Sequence, residues 1–136
     1  MLQNVSSVDF SINGDSSGSL IALEGLSREV PFEIKRIYYI FDTTPRAVRG
    51  KHAHRSLRQV LICLSGSCVV VCDNGEEKTE YHMAWPDKGL LIEGLVWREM
   101  RDFSKGTVLL VLASEGYDEA DYIRDYGVFL KEIKHG

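Results

Sequence analysis

The chain's 136 residues are 44% hydrophobic and 26% charged, the make-up of one folded domain with a core, which excludes a disordered chain and a multidomain assembly. Sixteen Lys and Arg against twenty Asp and Glu leave a net charge of −4, so a dedicated nucleic-acid surface, which needs a basic face, is not expected. The longest apolar runs, at 69–72 and 108–113, fall far short of the roughly 20 residues of a membrane helix, so no membrane partner is expected either.

In chain order, residues 1–7 lack the basic start and apolar centre of a secretory signal, so the expected compartment is the cytoplasm. The loop-forming Asn13-Gly14-Asp15-Ser16-Ser17-Gly18-Ser19 then leads into apolar residues 20–23, taken as a first strand. Residues 32–41 are rich in β-branched and aromatic side chains until Pro45 stops the run, which predicts a second. Strands over 59–64 and 68–72 are joined by Ser65-Gly66-Ser67, and Asp73-Asn74-Gly75 turns toward a strand over 78–83, giving a meander. Pro86-Asp87-Lys88-Gly89 turns into 90–92, Glu93-Gly94 turns again before Val96-Trp97, and 107–113 is another apolar strand.

Short strands at such regular spacing predict an all-β sandwich or barrel. Only the tail, 115–136, differs: Ser114 to Glu119 reads as a cap before a helix over 120–134. Residues 1–136 form one domain, with 1–19 as an N-terminal arm. Cys63, Cys68 and Cys72 are odd in number, without CxxC spacing, and embedded in apolar strands. They read as small buried hydrophobes in a reducing compartment.

The segment richest in chemistry is Arg49-Gly50-Lys51-His52-Ala53-His54. Residues two apart on a strand share a face, so His52 and His54 act together or not at all. Two imidazoles on one face suit metal binding and proton transfer equally. The other two histidines, His82 in a turn-bounded strand and His135 at the frayed end, read as surface residues.

The segment resembles the first cupin motif, His-x-His followed by a Glu and then a Gly, with Gln59 in place of the Glu and Gly66 as the glycine. A second cupin motif would supply another His near Arg98. An amide for a carboxylate and a guanidinium for an imidazole leave two of four ligands, and Arg98 adds a fixed positive charge, so neither metal nor cofactor is expected.

Five collinear blocks narrow the resemblance: Ile34-Lys35-Arg36-Ile37-Tyr38-Tyr39-Ile40, the Arg49–His54 segment, residues 59–66, Val96-Trp97-Arg98-Glu99-Met100 with Asp102-Phe103, and residues 111–114 with Tyr117-Asp118-Glu119 and Asp121-Tyr122-Ile123-Arg124. Together they resemble the dTDP-4-keto-6-deoxyglucose 3,4-ketoisomerases. The resemblance implies a cupin jelly-roll barrel with a short C-terminal helix. It also implies a cytoplasmic homodimer, N-terminal strands exchanged between subunits, and a dTDP-linked 4-keto-6-deoxy sugar as substrate.

Moving a ketone from C4 to C3 takes a base for the C3 proton, stabilisation of an enediolate and reprotonation at C4. His52 is the expected base. His54 orients the sugar, stabilises the enediolate or carries the second proton, and Tyr38 donates to the oxyanion. Strand parity puts Arg36 and Tyr38 on one face and Tyr39 on the other; if that first face lay outside the barrel, Tyr39 would take the role. Arg49 and Arg98, then Arg36 and Lys51, are candidates for the pyrophosphate. Gln59 is placed against the sugar. Three other readings stand at this point: a dTDP-4-keto sugar epimerase, a metal-dependent cupin oxygenase, and a non-catalytic nucleotide-sugar-binding cupin.

Overall fold

The computed structural model describes residues 2–135. Its strands are β1 (Val5–Asp9), β2 (Asn13–Asp15), β3 (Gly18–Leu20), β4 (Arg36–Ile40), β5 (Arg49–His54), β6 (Gln59–Ser65), β7 (Cys68–Asp73), β8 (Lys78–Met83), β9 (Lys88–Ile92), β10 (Trp97–Arg101), β11 (Val108–Ala113) and β12 (Tyr122–Ile123). A 3₁₀ turn, Glu119–Asp121, precedes β12, and one helix, α1 (Tyr126–His135), ends the chain. One sheet runs β1-β9-β6-β11-β4 and the other β12-β5-β10-β7-β8, while β2 and β3 pair only with each other. This is the expected all-β cupin jelly roll with a short C-terminal helix.

Between the sheets, Leu61, Cys63, Leu90, Ile92 and Val111 of the first meet Cys68, Val70, Cys72 and Met100 of the second. Val60, Ile62 and Leu112 point the opposite way and are covered by Phe10, Val30 and Phe32. The middle of the first sheet is thus buried on both faces, which is why residues 60–63 run apolar instead of alternating. All three cysteines are free and buried. On the outside of the second sheet Trp97 packs on Phe129 of α1, with Ala53 and Ile123 beside them.

Three expectations about the elements are corrected. The first strand lies at Val5–Asp9, where it pairs with β9 over five residues; residues 20–23 give only the last residue of β3 before the chain crosses the outside of the first sheet, and Ile21 and Leu23 pack there. The strand expected over 32–41 is confined to Arg36–Ile40, because Phe32 and Ile34 cover the sheet instead of pairing within it. The helix expected over 120–134 begins only at Tyr126. Asp118 caps the 3₁₀ turn through Ala120 N, and Tyr122 and Ile123 then pair with His54 and Ala53 at the free edge of β5. The irregular apolar spacing at 120–125 is that of an edge strand followed by a second cap, Asp125, whose carboxylate accepts from Val128 N.

The strand faces are settled as well. Arg36, Tyr38 and Ile40 turn inward, whereas Tyr39 is 61% exposed, so Tyr38 is the tyrosine available to the interior. His82 and His135 are exposed on the surface, as expected.

Candidate active site

Two ladder rows face each other across one end of the barrel. In the first sheet Arg36, Ala113, Gln59 and Ile92 lie side by side on successive strands; in the second, His52 lies beside Arg98 and Arg98 beside Cys72. Inward parity makes these rows meet. The contact is a hydrogen bond of 2.5 Å from Arg98 Nη1 to Gln59 Oε1, and Gln59 Nε2 in turn donates to the Tyr38 hydroxyl at 3.0 Å. Arg98 is only 1% exposed, and its Nε and Nη2 both donate to the Val96 carbonyl, at 3.1 and 3.0 Å.

The histidines owe their aim to a β-bulge. Gly50 and Lys51 both adopt positive φ, +82° and +55°, and the β5–β10 register shifts between Arg98 and Glu99. Gly50 is needed there, since a Cβ would sit 3.0 Å from both the Arg98 carbonyl and the Met100 sulfur. The bulge brings the Gly50 carbonyl within 2.9 Å of His52 Nδ1. A carbonyl can only accept, so Nδ1 carries the proton of neutral His52 and Nε2 is bare. His54 Nδ1 likewise lies 3.1 Å from Asp121 Oδ2. Burial alone would raise the Asp121 carboxyl, but hydrogen bonds from Ser56 and His54 outweigh it and hold the group below its ordinary range. Facing a carboxylate, His54 Nδ1 donates, so its Nε2 is bare too. That atom is the one buried side-chain N or O among the described residues without a hydrogen-bond partner.

Both imidazoles are kept neutral. Burial first, then the Arg98 charge, pushes His52 down to about 4, and the same two causes with His52 beside it push His54 well below the ordinary value. The two rings meet edge to face at 4.8 Å, and Tyr122 stands against both at 5.1 and 4.3 Å. Tyr38 is raised by burial and stays protonated. A cleft of about 490 Å³ opens over His54, walled by Arg36, Arg58, Ser114, Tyr117 and Tyr122. The Arg36 guanidinium lies over the rings of Tyr38 and Tyr117, at 4.7 and 5.4 Å. On the rim, Glu119 ties Arg124 to the Tyr117 hydroxyl.

Of the expected site residues, His52, His54, Tyr38, Gln59, Arg98 and Arg36 are brought together, whereas Arg49 just ahead of the bulge and Lys51 within it are exposed and line no part of the cleft. Arg98 was expected to reach a pyrophosphate; it is instead enclosed in the lumen, hydrogen-bonded to the Val96 carbonyl and to Gln59. Gln59, expected to touch the sugar, is 2% exposed and spends its amide on Arg98 and Tyr38. Sequence reasoning passed over Asp121 and Tyr122, which it had placed in a helix. The clue was the string Asp121-Tyr122-Ile123-Arg124 itself, whose two central residues form the strand beside β5. The donor set does not fit a metal: at the two remaining cupin ligand positions an amide has no charge to offer and a guanidinium has no lone pair.

A cupin barrel whose lumen holds two neutral imidazoles with bare Nε2 atoms, a protonated phenol and a fixed buried cation is built for proton transfer, the chemistry of an isomerase. The sequence model of the family described as FdtA: WxcM-like, C-terminal, matches residues 3–134, and the chain belongs to that family. It is 52% identical over 119 residues to the TDP-4-oxo-6-deoxy-alpha-D-glucose-3,4-oxoisomerase of Aneurinibacillus thermoaerophilus, covering 88% of this chain and 85% of that one. A crystal structure of a variant of the 3,4-ketoisomerase QdtA from Thermoanaerobacterium thermosaccharolyticum, in complex with TDP-4-keto-6-deoxyglucose, superposes with a TM-score of 0.96 at 46% identity over 99% of this chain and 97% of the other. The TDP-quinovose 3,4-ketoisomerase WlaRB of Campylobacter jejuni gives 0.91 at 51% identity over 96% and 99%.

The depressed imidazoles tie stability to pH. The unfolded chain's histidines take protons at the ordinary 6.5 while folded His52 resists down to about 4, so within that window the unfolded state binds more protons and acid favours it. Stability from this source is complete above pH 6.5 and declines as pH falls toward 4. Thermal melts across this range should show a falling Tm, with a shallower fall for His52→Asn; a Tm indifferent to pH between 6.5 and 4.5 would contradict the assignment.

Proposed function

We propose that the protein converts dTDP-4-keto-6-deoxyglucose to a dTDP-3-keto-6-deoxyhexose by acid/base proton transfer. The observation that carries the reading is the pair of bare imidazole nitrogens facing the Tyr38–Gln59–Arg98 chain in one lumen. His52 Nε2 takes the C3 proton, which the neighbouring C4 carbonyl acidifies. The C–H bonding pair becomes the C3–C4 double bond, and the carbonyl pair moves onto O4, where the Tyr38 hydroxyl donates to it. The enediolate then collapses from the other side: O3 gives up its proton toward His54, the C3 carbonyl forms, and C4 takes a proton from His52. O4 takes the Tyr38 proton, and the proton left on His54 returns through solvent in the cleft to the Tyr38 oxygen, so atoms and charge balance and every residue ends as it began.

The low pKa of His52 favours the return step, because an imidazolium beside Arg98 is a strong acid. Removal of the C3 proton then depends on the enediolate being held by Tyr38 and by the Arg98 charge in a water-poor site. Arg36, at the mouth between Tyr38 and Tyr117, is the basic residue best placed for the pyrophosphate. Arg49 and Lys51 reach the nucleotide only where it lies along the exposed start of β5.

The same reading includes a homodimer. The hairpin β2–β3 is exposed along its whole length and pairs only with itself, as an arm meant for a second copy would be. Beside it an apolar groove of about 560 Å³, lined by Ile12, Ile21, Leu23, Ile37, Leu64 and Leu110, lies open on the outer face of the first sheet. A second copy seated there covers both. We place the enzyme in the cytoplasm, in keeping with three free buried thiols and no helix, among the described residues, long and apolar enough to cross a membrane.

The test is proton NMR of dTDP-4-keto-6-deoxyglucose in deuterated buffer with catalytic amounts of chelator-treated protein. Deuterium should enter at C4 of a new 3-keto product, and His52→Asn should slow this by about 10²–10⁴-fold. Exchange at C3 and C5 with the ketone still at C4 would make the protein an epimerase; no exchange with nucleotide still bound would make it a binding module. Light scattering should give twice the chain mass of 15.4 kDa, and a monomer would contradict the dimer.

A further inference from the structure

Among the described residues Gln59 is hydrogen-bonded to both Arg98 and Tyr38, and its amide has a direction. A guanidinium possesses only donors, so the end of the amide 2.5 Å from Arg98 Nη1 must be the oxygen. The nitrogen therefore faces Tyr38, 3.0 Å from its hydroxyl. An amide nitrogen cannot accept a hydrogen bond, so the Tyr38 oxygen accepts this one and its own proton must point elsewhere. Arg98 cannot turn round to reverse the order, because the Val96 carbonyl holds its Nε and Nη2.

We infer that Arg98 and Gln59 together fix the Tyr38 hydroxyl as a donor into the lumen, which makes Gln59 a positioning residue for the proton that meets the developing oxyanion. The inference rests on the isomerase reading above and adds the direction of the relay. Gln59 has no need to touch the sugar: it acts through Tyr38, and its burial keeps it out of reach. The polarity of the chain is set at its far end by a group that never changes charge, so the hydroxyl is oriented before substrate arrives and costs nothing to reorganise during the reaction.

Gln59→Glu keeps the length and shape of the side chain and reverses the relay. A carboxylate accepts from Arg98 and from Tyr38 alike, so the phenol proton turns back toward residue 59 and the lumen loses its donor. With dTDP-4-keto-6-deoxyglucose as substrate, kcat should fall about 100-fold, the scale of losing one oxyanion donor. KM should change by less than about threefold, since the lost contact belongs to the transition state. The Y38F/Q59E enzyme should lose less than the product of the two single losses, because both changes remove the same donor and only the quenching of the Arg98 charge by the new carboxylate acts apart from it. Parental kcat in Gln59→Glu, or losses that multiply in the double variant, would overturn the inference.

A melting curve establishes that Gln59→Glu folds. Should it not, 3-fluorotyrosine at position 38 of the otherwise unchanged chain gives the second readout. The alkaline limb of kcat should move to lower pH by about the amount fluorine lowers the pKa of a phenol, and an unmoved limb would overturn the inference. A parent enzyme that leaves this substrate unchanged would overturn the underlying isomerase reading and this inference with it; an active parent indifferent to Gln59→Glu overturns this inference alone.

Discussion

The interaction on which the site depends is the burial of one positive charge. Enclosing a guanidinium costs several kcal/mol unless its donors are met. Here each of its three nitrogens donates one hydrogen bond without a carboxylate, to the Val96 carbonyl or the Gln59 oxygen. A neutral partner leaves the charge unspent, and its field acts on everything else in the lumen. It helps depress His52 and His54, opposes the rise that burial imposes on Tyr38, and orients the Gln59 amide. In a metal-binding cupin a cation would occupy this region and the same two histidines would ligate it. With the charge supplied by a side chain, both imidazoles stay neutral with bare Nε2 atoms, which is what the proposed proton transfer needs.

Strand geometry delivers each partner. The β5–β10 ladder sets His52 beside Arg98, and the bulge at Gly50–Lys51 turns a backbone carbonyl onto His52 Nδ1. The two-residue strand β12 closes the far edge of β5 and brings Asp121 under His54. Arg55 secures that edge by donating to the carbonyls of Ala120 and Tyr122 and to Glu132 of α1. The short helix therefore contributes no group to the lumen, but it clamps the segment that does.

How much of this was legible in the sequence divides along a physical line. Local patterns read well: the meander from Gln59 to Met83 follows from turn residues and β-branched runs, and His52 and His54 follow from period-two parity. The collinear strings pointed to the family before any coordinates. Tyr38 against Tyr39 was a choice between two faces of one strand, which only the packing of β4 on β11 decides. Other features were illegible because they depend on partners distant in the chain. Val5–Asp9 looks polar until β9 pairs with it, and Phe32 looks like strand until the first sheet needs an outer cover. Asp121 and Tyr122 carry no strand signal apart from the free edge of β5, 67 residues away from Asp121 at His54. Arg98 could be named from its place in the motif, but whether its head reaches solvent or stays in the lumen is a matter of side-chain partners alone.

The most direct test of this account observes the imidazole nitrogens themselves. Long-range ¹H–¹⁵N correlation spectra of the uniformly labelled protein, with His52→Asn and His54→Asn for assignment, report the tautomer and charge of each ring as pH is lowered. The account predicts two rings in the Nδ1–H form, Nε2 unprotonated, that remain neutral below pH 5, with His52 titrating at about 4. Rings that take up a proton near the ordinary 6.5, or that carry it on Nε2 when neutral, would contradict the claim that a buried guanidinium keeps both histidines ready as bases.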